Sequence, residues 1–301
     1  MHSRVACLFL SLLLLPFQSP RDSIRQHYEA AEAYQRAGNL IAAEGEYVAI
    51  LTGAYHGLGT IYIAQENYKE AVGSLEMAAV CRPDSTEVLV DLSISYFYIG
   101  QYPKAIEPLN KALVLTPQSP AAHHMLGKTY FMIGEFEKAE HELAAAQKLS
   151  PGDYDIAYTL GLAYLRQHKF AQAKQLYDHM IVQLGNRAPL GVLIGRAYRE
   201  TGFLAEAIEE FKKAVAIDTH FPRVHYHLGL TYLLKDGAAR LGDAEREFKL
   251  ELANHPDEFF GNYYLGIVYA TEAKWTEAIN LLEKASRIQP NNPDPYFSKL
   301  W

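Results

Sequence analysis

Residues 120–153 read PAAHHMLGKTYFMIGEFEKAEHELAAAQKLSPGD, two helices and a turn in one contiguous stretch. Ser119 is a candidate N-cap, and Pro120 suits the first helical position, where a missing backbone N–H is of no consequence. Leu126, Gly127 and Tyr130 then share one helical face, and Gly134 stops the helix. Ala139, Leu143 and Ala146 follow at steps of four and three, the apolar stripe of a second helix that ends at the breaker Ser150-Pro151-Gly152. Gly127 and Ala139 are small where the two helices should face each other, which lets the backbones come close. A hairpin of this size cannot bury its outer apolar face alone, so it needs a neighbour on each side.

The neighbours recur at a fixed period. With Gly127 as position 8, position 11 is Tyr62, Tyr96, Tyr130, Tyr164 and Tyr198, each 34 residues after the last. Position 20 is Ala71, Ala105, Ala139, Ala173 and Ala207; position 24 is Leu75, Leu109, Leu143, Tyr177 and Phe211. Position 32 is Pro83, Pro117 and Pro151, then Gly185. Several positions keeping phase at this spacing resemble the tetratricopeptide repeat, over roughly residues 24–292. The resemblance implies an all-α fold, a right-handed superhelical solenoid of about eight helix-turn-helix repeats whose first helices line a concave, peptide-binding groove. The repeats fall near 24–51, 52–85, 86–119, 120–153, 154–187, 188–221, 222–258 and 259–292, and 293–301 begins a ninth helix or terminal cap.

Two repeats break the rhythm. Tyr34 precedes Tyr62 by 28 residues rather than 34, so the junction at Leu51–Ala54 is expected to be either a very tight turn at Gly53 or a partly continuous helix. In the seventh repeat Tyr232 is followed by Ala244 and Phe248 three residues late, which places an insertion within KDGAARLGDAE, between the helices, where extra length costs little.

A net charge of −7 argues against a nucleic-acid partner, which usually meets a basic face. The N-terminus, MHSRVACLFLSLLLLPFQSPRDS, reads as a secretory signal over 1–19, with Arg4 before an apolar run from Val5 to Leu15. That run is too short to span a bilayer, and an uncleaved segment tethering the chain to a membrane is the alternative. Export in a bacterium, to the periplasm or beyond, is therefore expected. With Cys7 inside that segment, Cys81 is the one remaining thiol, so neither an intrachain disulfide nor a cysteine-based zinc site is expected.

No Walker loop, HExxH, nucleophile elbow or dinucleotide fingerprint occurs, so no catalytic residue, cofactor or metal is assigned. His123-His124, or His225 and His227, are too close in sequence to share a helix face and read as surface or groove histidines. Tyrosines at position 11 belong to the framework, which leaves Tyr28, Tyr158, Tyr226 and Tyr263 as the more informative ones.

The function expected is that of a non-enzymatic protein-interaction scaffold, with a regulatory or assembly subunit of a bacterial envelope enzyme or secretion complex as the alternative. Carrying the family's groove positions onto this chain gives His124, Lys128 and Phe131, then Tyr158, Leu162, Leu165 and Arg166, then Val192, Arg196 and Arg199, with Tyr226 and Tyr263 further on. Basic and apolar groups alternate along this strip, which suits an extended or helical segment bearing acidic residues beside apolar anchors. The same arginines could equally be solvated or paired with groove acids such as Asp155. Replacing Arg196 and Arg199 is expected to weaken binding without loss of stability. Because each repeat contacts only its neighbours, hydrogen exchange should find repeats three to six most protected and the ends least; uniform protection from Ile24 to Trp301 would contradict this.

Overall fold

The computed structural model describes residues 20–290, all of them in helices and connecting turns without a strand. The export segment at 1–19 and the ninth helix at 293–301 lie outside the described residues. The helices group into two compact units that divide between Thr129 and Tyr130.

The first unit contains α1 (Pro20–Arg36), α2 (Leu40–Ala64), α3 (Tyr68–Cys81), α4 (Thr86–Tyr98), α5 (Tyr102–Leu115) and the start of α6 (Pro120–Met132). Here the open question at Gly53 is resolved. Leu51 to Ala54 lie inside α2, which runs 25 residues without interruption and serves as the second helix of repeat one and the first of repeat two. Nothing stops it, because the proline and turn residues that end the other repeats are missing there. His56 Nε2 on α2 then meets Asp91 Oδ2 on α4 at 2.7 Å. At the start of α6, Ser119 Oγ accepts from Ala122 N at 3.3 Å, the capping its sequence announces.

The second unit contains α7 (Phe136–Leu149), α8 (Tyr154–Arg166), α9 (Phe170–Leu184), α10 (Ala188–Glu200), α11 (Leu204–Ile217), α12 (Val224–Asp236), α13 (Leu241–Asn254), α14 (Phe259–Thr271) and α15 (Trp275–Ile288). The insertion of repeat seven folds as a 3-10 helix, Gly237–Arg240, between α12 and α13. Successive helices pack pairwise, and first helices also touch one another, α8 with α10, α10 with α12 and α12 with α14.

Every hairpin but that of repeat seven, where the 3-10 helix intervenes, turns in the same way. The carbonyl of the position-11 tyrosine accepts from the N–H five residues on, as in Lys169 N to Tyr164 O and Phe203 N to Tyr198 O, both at 2.8 Å. The residue before that donor is left-handed: Gly202 at φ 88°, but also His168 at φ 58°, so the turn is imposed even where no glycine relieves it.

The close helix contact lies where the small residues of positions 8 and 20 meet, as where a Cβ on Gly266 would lie 3.4 Å from the Ala278 carbonyl oxygen. It is the bulky position-24 side chain that fills the space above the position-8 glycine. A Cβ on Gly161 would lie 2.4 Å from the Tyr177 ring, and one on Gly195 2.7 Å from Phe211. Gly59 meets Leu75, Gly229 meets Phe248 and Gly266 meets Leu282 in the same manner. The position-20 alanines Ala71, Ala105, Ala139, Ala173 and Ala207 are fully buried beside them. Gly161→Ala or Gly195→Ala should therefore lower stability by about 1–3 kcal/mol through overpacking. Gly73→Ala, where nothing lies within 4 Å of the added atom, should raise it by up to about 1 kcal/mol in the same denaturation experiment.

Candidate functional site

The expected groove residues divide between the two units. His124 and Lys128 are half-buried on α6 in the first. The second unit holds the rest, and there the first helices α8, α10, α12 and α14 present a continuous run of side chains.

Tyr158 of α8 is half-buried, its ring 6.3 Å from that of Tyr177, and it feels the charges of Glu200, Arg196 and Asp155. Burial is the main reason its hydroxyl ionises above the ordinary tyrosine value. On α10, Arg196 is exposed and lies 3.6 Å from Glu200, one turn away. Arg199, three residues on, turns toward α12 instead: its Nη1 donates to Nδ1 of His227 at 3.1 Å, and its guanidinium lies 5.8 Å from the centre of the Phe211 ring. Tyr226 of α12 stacks on Phe260 of α14 at 5.0 Å and stands 5.7 Å from Tyr264. Arg223 closes the run, its Nε 3.1 Å from Glu258 and its guanidinium 5.4 Å from the Phe260 ring.

Several expected groove residues belong to the interior instead. Leu165 is 1% exposed and packs into a core with Val192 and Ile194 of α10; Leu162 borders the same core. Position 12 faces the next first helix, and this also explains why Arg199 at that position is half-buried rather than solvated. Phe131 is half-buried against Phe136, ring centres 5.5 Å apart. Tyr263 is 0% exposed, stacked on Phe259 at 5.8 Å and walled by Ala285, so it offers nothing to a partner. Tyr226, 7% exposed, is covered by the two α14 rings. Phe260 and Tyr264 take the place assigned to Tyr263; their spacing of four on one helix face was the available signal. Arg166 is exposed at the end of α8.

The histidines of repeat seven are not surface residues. His225 is 2% exposed, its Nδ1 2.7 Å from Glu247 Oε2 and its Nε2 2.9 Å from Thr219 Oγ1. His227, two residues on and therefore on another face, stacks on Phe211 with ring centres 5.5 Å apart. A second buried carboxylate, Glu251, accepts from Arg223 N at 2.9 Å and Tyr226 N at 3.3 Å. It caps α12 from outside, because the residue at the N-cap position is Arg223, whose side chain makes no cap. Glu247 and Glu251 are one turn apart on α13, a spacing visible in the sequence, but nothing there marks them as buried.

Burial, then the cations Arg199, Arg196 and Arg223, press the pKa of His227 from 6.5 down to about 3, so the ring is neutral and its Nδ1 accepts the arginine proton. Between those two values the unfolded chain binds the proton that the fold excludes. Stability should thus rise with pH across the window and be lost as pH falls, by at most about 1.4 kcal/mol per unit. Denaturation of the parent and of His227→Phe from about pH 7 to about pH 4 tests this: the variant should show the shallower slope, and equal slopes would refute the assignment.

Among the described residues no group of three or more histidine, cysteine or acidic side chains is placed to hold a metal ion, and no helix is long and apolar enough to cross a membrane. No curated protein matches the sequence. Solved structures do. A crystal structure of MamA is 30% identical, over 54% of this chain and 95% of that one, with a TM-score of 0.47. A tetratricopeptide repeat protein from Parabacteroides merdae is 16% identical, over 87% of this chain and 98% of that one, with a TM-score of 0.53. Yeast Tom70 is 11% identical, over 89% of this chain and 55% of that one, at 0.55. The last two share the fold. Models of the TPR repeat match residues 95–134 and 195–236, and models of the tetratricopeptide repeat match 124–186 and 54–87, together more than half of the sequence. With the periodic tyrosines, alanines and paired helices, these matches place the chain in the tetratricopeptide repeat family, whose fold serves as a protein-interaction scaffold.

Proposed function

We propose that this protein is a non-enzymatic scaffold that holds a segment of a partner protein against the first helices of its second unit, the segment presenting acidic residues beside apolar anchors. The observation that supports this most is the sequence of side chains from Tyr158 through Arg196 and Arg199 to Phe260, Tyr264 and Arg223, in which cations and half-buried aromatic rings alternate over α8, α10, α12 and α14. Glu200 and Glu258 offset part of the positive charge, so attraction falls chiefly to Arg196, exposed beside Glu200, and to Arg166. Arg199 acts differently from the original expectation, since its guanidinium is tied to His227 and Phe211 and thus shapes the groove floor. Export, or tethering through the apolar run Val5–Leu15, belongs to the same proposal; mass spectrometry of the N-terminus in envelope and secreted fractions tests it.

Binding of whatever partner co-purifies should weaken as salt rises. Arg196→Ala should lower affinity by about 1 kcal/mol with an unchanged melting temperature, whereas Arg199→Ala should lower both. Salt-independent binding that Arg196→Ala leaves intact would remove the groove's basic residues from recognition.

A further inference from the structure

A cation covers the ring of the position-11 tyrosine in four repeats. Lys104 Nζ is 5.7 Å from the centre of Tyr96, Lys138 Nζ 5.5 Å from Tyr130, the Arg240 guanidinium 4.4 Å from Tyr232, and Lys274 Nζ 4.9 Å from Tyr269. Lys104 and Lys138 follow their tyrosine by eight residues, a place held by Glu70, Gln172 and Glu277 in other repeats, and Arg240 reaches Tyr232 from the inserted 3-10 helix. Eight residues after Tyr198 stands Glu206, and among the described residues no cation lies over the Tyr198 ring.

What stands there is a cleft of about 270 Å³ between α9 and α11, floored by Phe170, Tyr177 and Tyr198 and rimmed by Asp178, Glu206, Glu209 and Glu210. The rim lysines are already engaged on their own helices, Lys174 with Asp178 at 2.5 Å and Lys213 with Glu210 at 2.7 Å, and Glu209 meets Lys212 at 3.1 Å. Glu206 has no basic partner among the described residues. Tyr198 is 3% exposed, and its hydroxyl makes no hydrogen bond among them. In the equivalent place of the first unit the Tyr96 hydroxyl donates to Glu76 at 2.5 Å; Asp178 corresponds to Glu76, is one methylene shorter, and turns to Lys174. Burial and the carboxylates of Glu210, Asp178 and Glu206 hold the Tyr198 hydroxyl protonated, a donor facing acids. The corresponding cleft one repeat earlier, over Tyr164, is rimmed by Ala144, Gln172, Gln175 and Leu176 without a carboxylate, so the two neighbouring clefts differ in charge.

We infer that the cleft over Tyr198 takes the ammonium or guanidinium group of a lysine or arginine side chain from a partner protein, seated against Glu206 and the aromatic floor as Lys104 and Lys138 are seated on their own tyrosines. The apolar floor suits the methylene stem and the carboxylate rim suits the charged head, a pairing that favours a long basic side chain over an inorganic cation. The site uses the face of α10 that carries Ile194 and Tyr198, distinct from the Arg196 and Arg199 positions, and it does not rest on the groove reading.

The test is a methyl NMR titration of the full chain, isoleucine-labelled, with acetyl-Ala-Lys-Ala-amide, its norleucine analogue and spermidine. The Ile181 and Ile194 methyls line the cleft and should shift saturably with the lysine peptide but not with the norleucine one. Glu206→Lys installs the cation that repeats three and four carry at this place and should fill the cleft from within, weakening peptide binding by about tenfold or more while circular dichroism stays unchanged. Glu206→Gln, which keeps shape and removes charge, serves if the lysine variant does not fold, and should weaken binding by about threefold or more. Gln172→Lys in the neighbouring cleft should leave binding as it was. Equal shifts with norleucine, no shift with lysine, undiminished binding in both Glu206 variants, or shifts with spermidine alone would each overturn the assignment.

Discussion

In five repeats the position-8 glycine of the first helix, Gly59, Gly161, Gly195, Gly229 or Gly266, meets a bulky side chain from the second helix of its own repeat, and that contact sets how close the two helices lie. Where Tyr177 or Phe211 inserts, the ring occupies the volume a β-carbon would need, so helix separation and aromatic placement are one constraint. The fully buried alanines of position 20 allow the same approach from the other helix. A hairpin closed in this way still shows an apolar outer face, and stacking the next repeat is how the chain buries it. Length then adds repeats rather than a larger core, which is why a sequence of 301 residues needs no central one.

Repeat seven shows what happens when the pattern is interrupted. The three-residue insertion is taken up by a four-residue 3-10 helix, from which Arg240 reaches the Tyr232 ring. The entry to α12 has no capping side chain of its own, and Glu251 from α13 supplies the acceptor. Glu247 secures His225 a turn earlier on the same helix. Burying two carboxylates is costly unless each has donors, and here each is met by a backbone N–H or a ring nitrogen. His227 then becomes an acceptor for Arg199, linking the groove floor to the neutral state of a buried ring.

The tyrosines of position 11 do more than fill space. Outside repeat seven their carbonyls close the turns, their rings receive cations in four repeats, and the Tyr96 hydroxyl has a carboxylate partner. Repeat six keeps the first of these roles and has Glu206 where repeats three and four place a lysine, and with Asp178, Glu209 and Glu210 it forms an acidic cleft over the ring. Variation on a repeated frame thereby gives two chemically opposite surfaces on α10, one carrying arginines and one facing carboxylates.

Helix pairs, their starts at Ser119-Pro120, their stops at Gly134, the late second helix of repeat seven and the buried alanine stripe were all legible in the sequence, because each depends on residues within one hairpin. The choice at Gly53 was not: the missing proline and turn residues allow a continuous helix, but the glycine also suits a tight turn, and only the structure shows α2 running through it and packing on both α1 and α3. Which position-5 tyrosine reaches the surface was likewise hidden. Tyr158 is half-buried while Tyr226 lies under the rings of Phe260 and Tyr264, and Tyr263 is enclosed by Phe259 and Ala285. The same repeat position is thus exposed or enclosed according to side chains on helices more than one turn of sequence away. Periodicity determines the direction a side chain leaves its helix; only tertiary structure determines what stands in front of it, because burial is set by the size of neighbours that the chain brings back from 20 to 35 residues further on, as with His225 and Glu247, or Arg223 and Glu258.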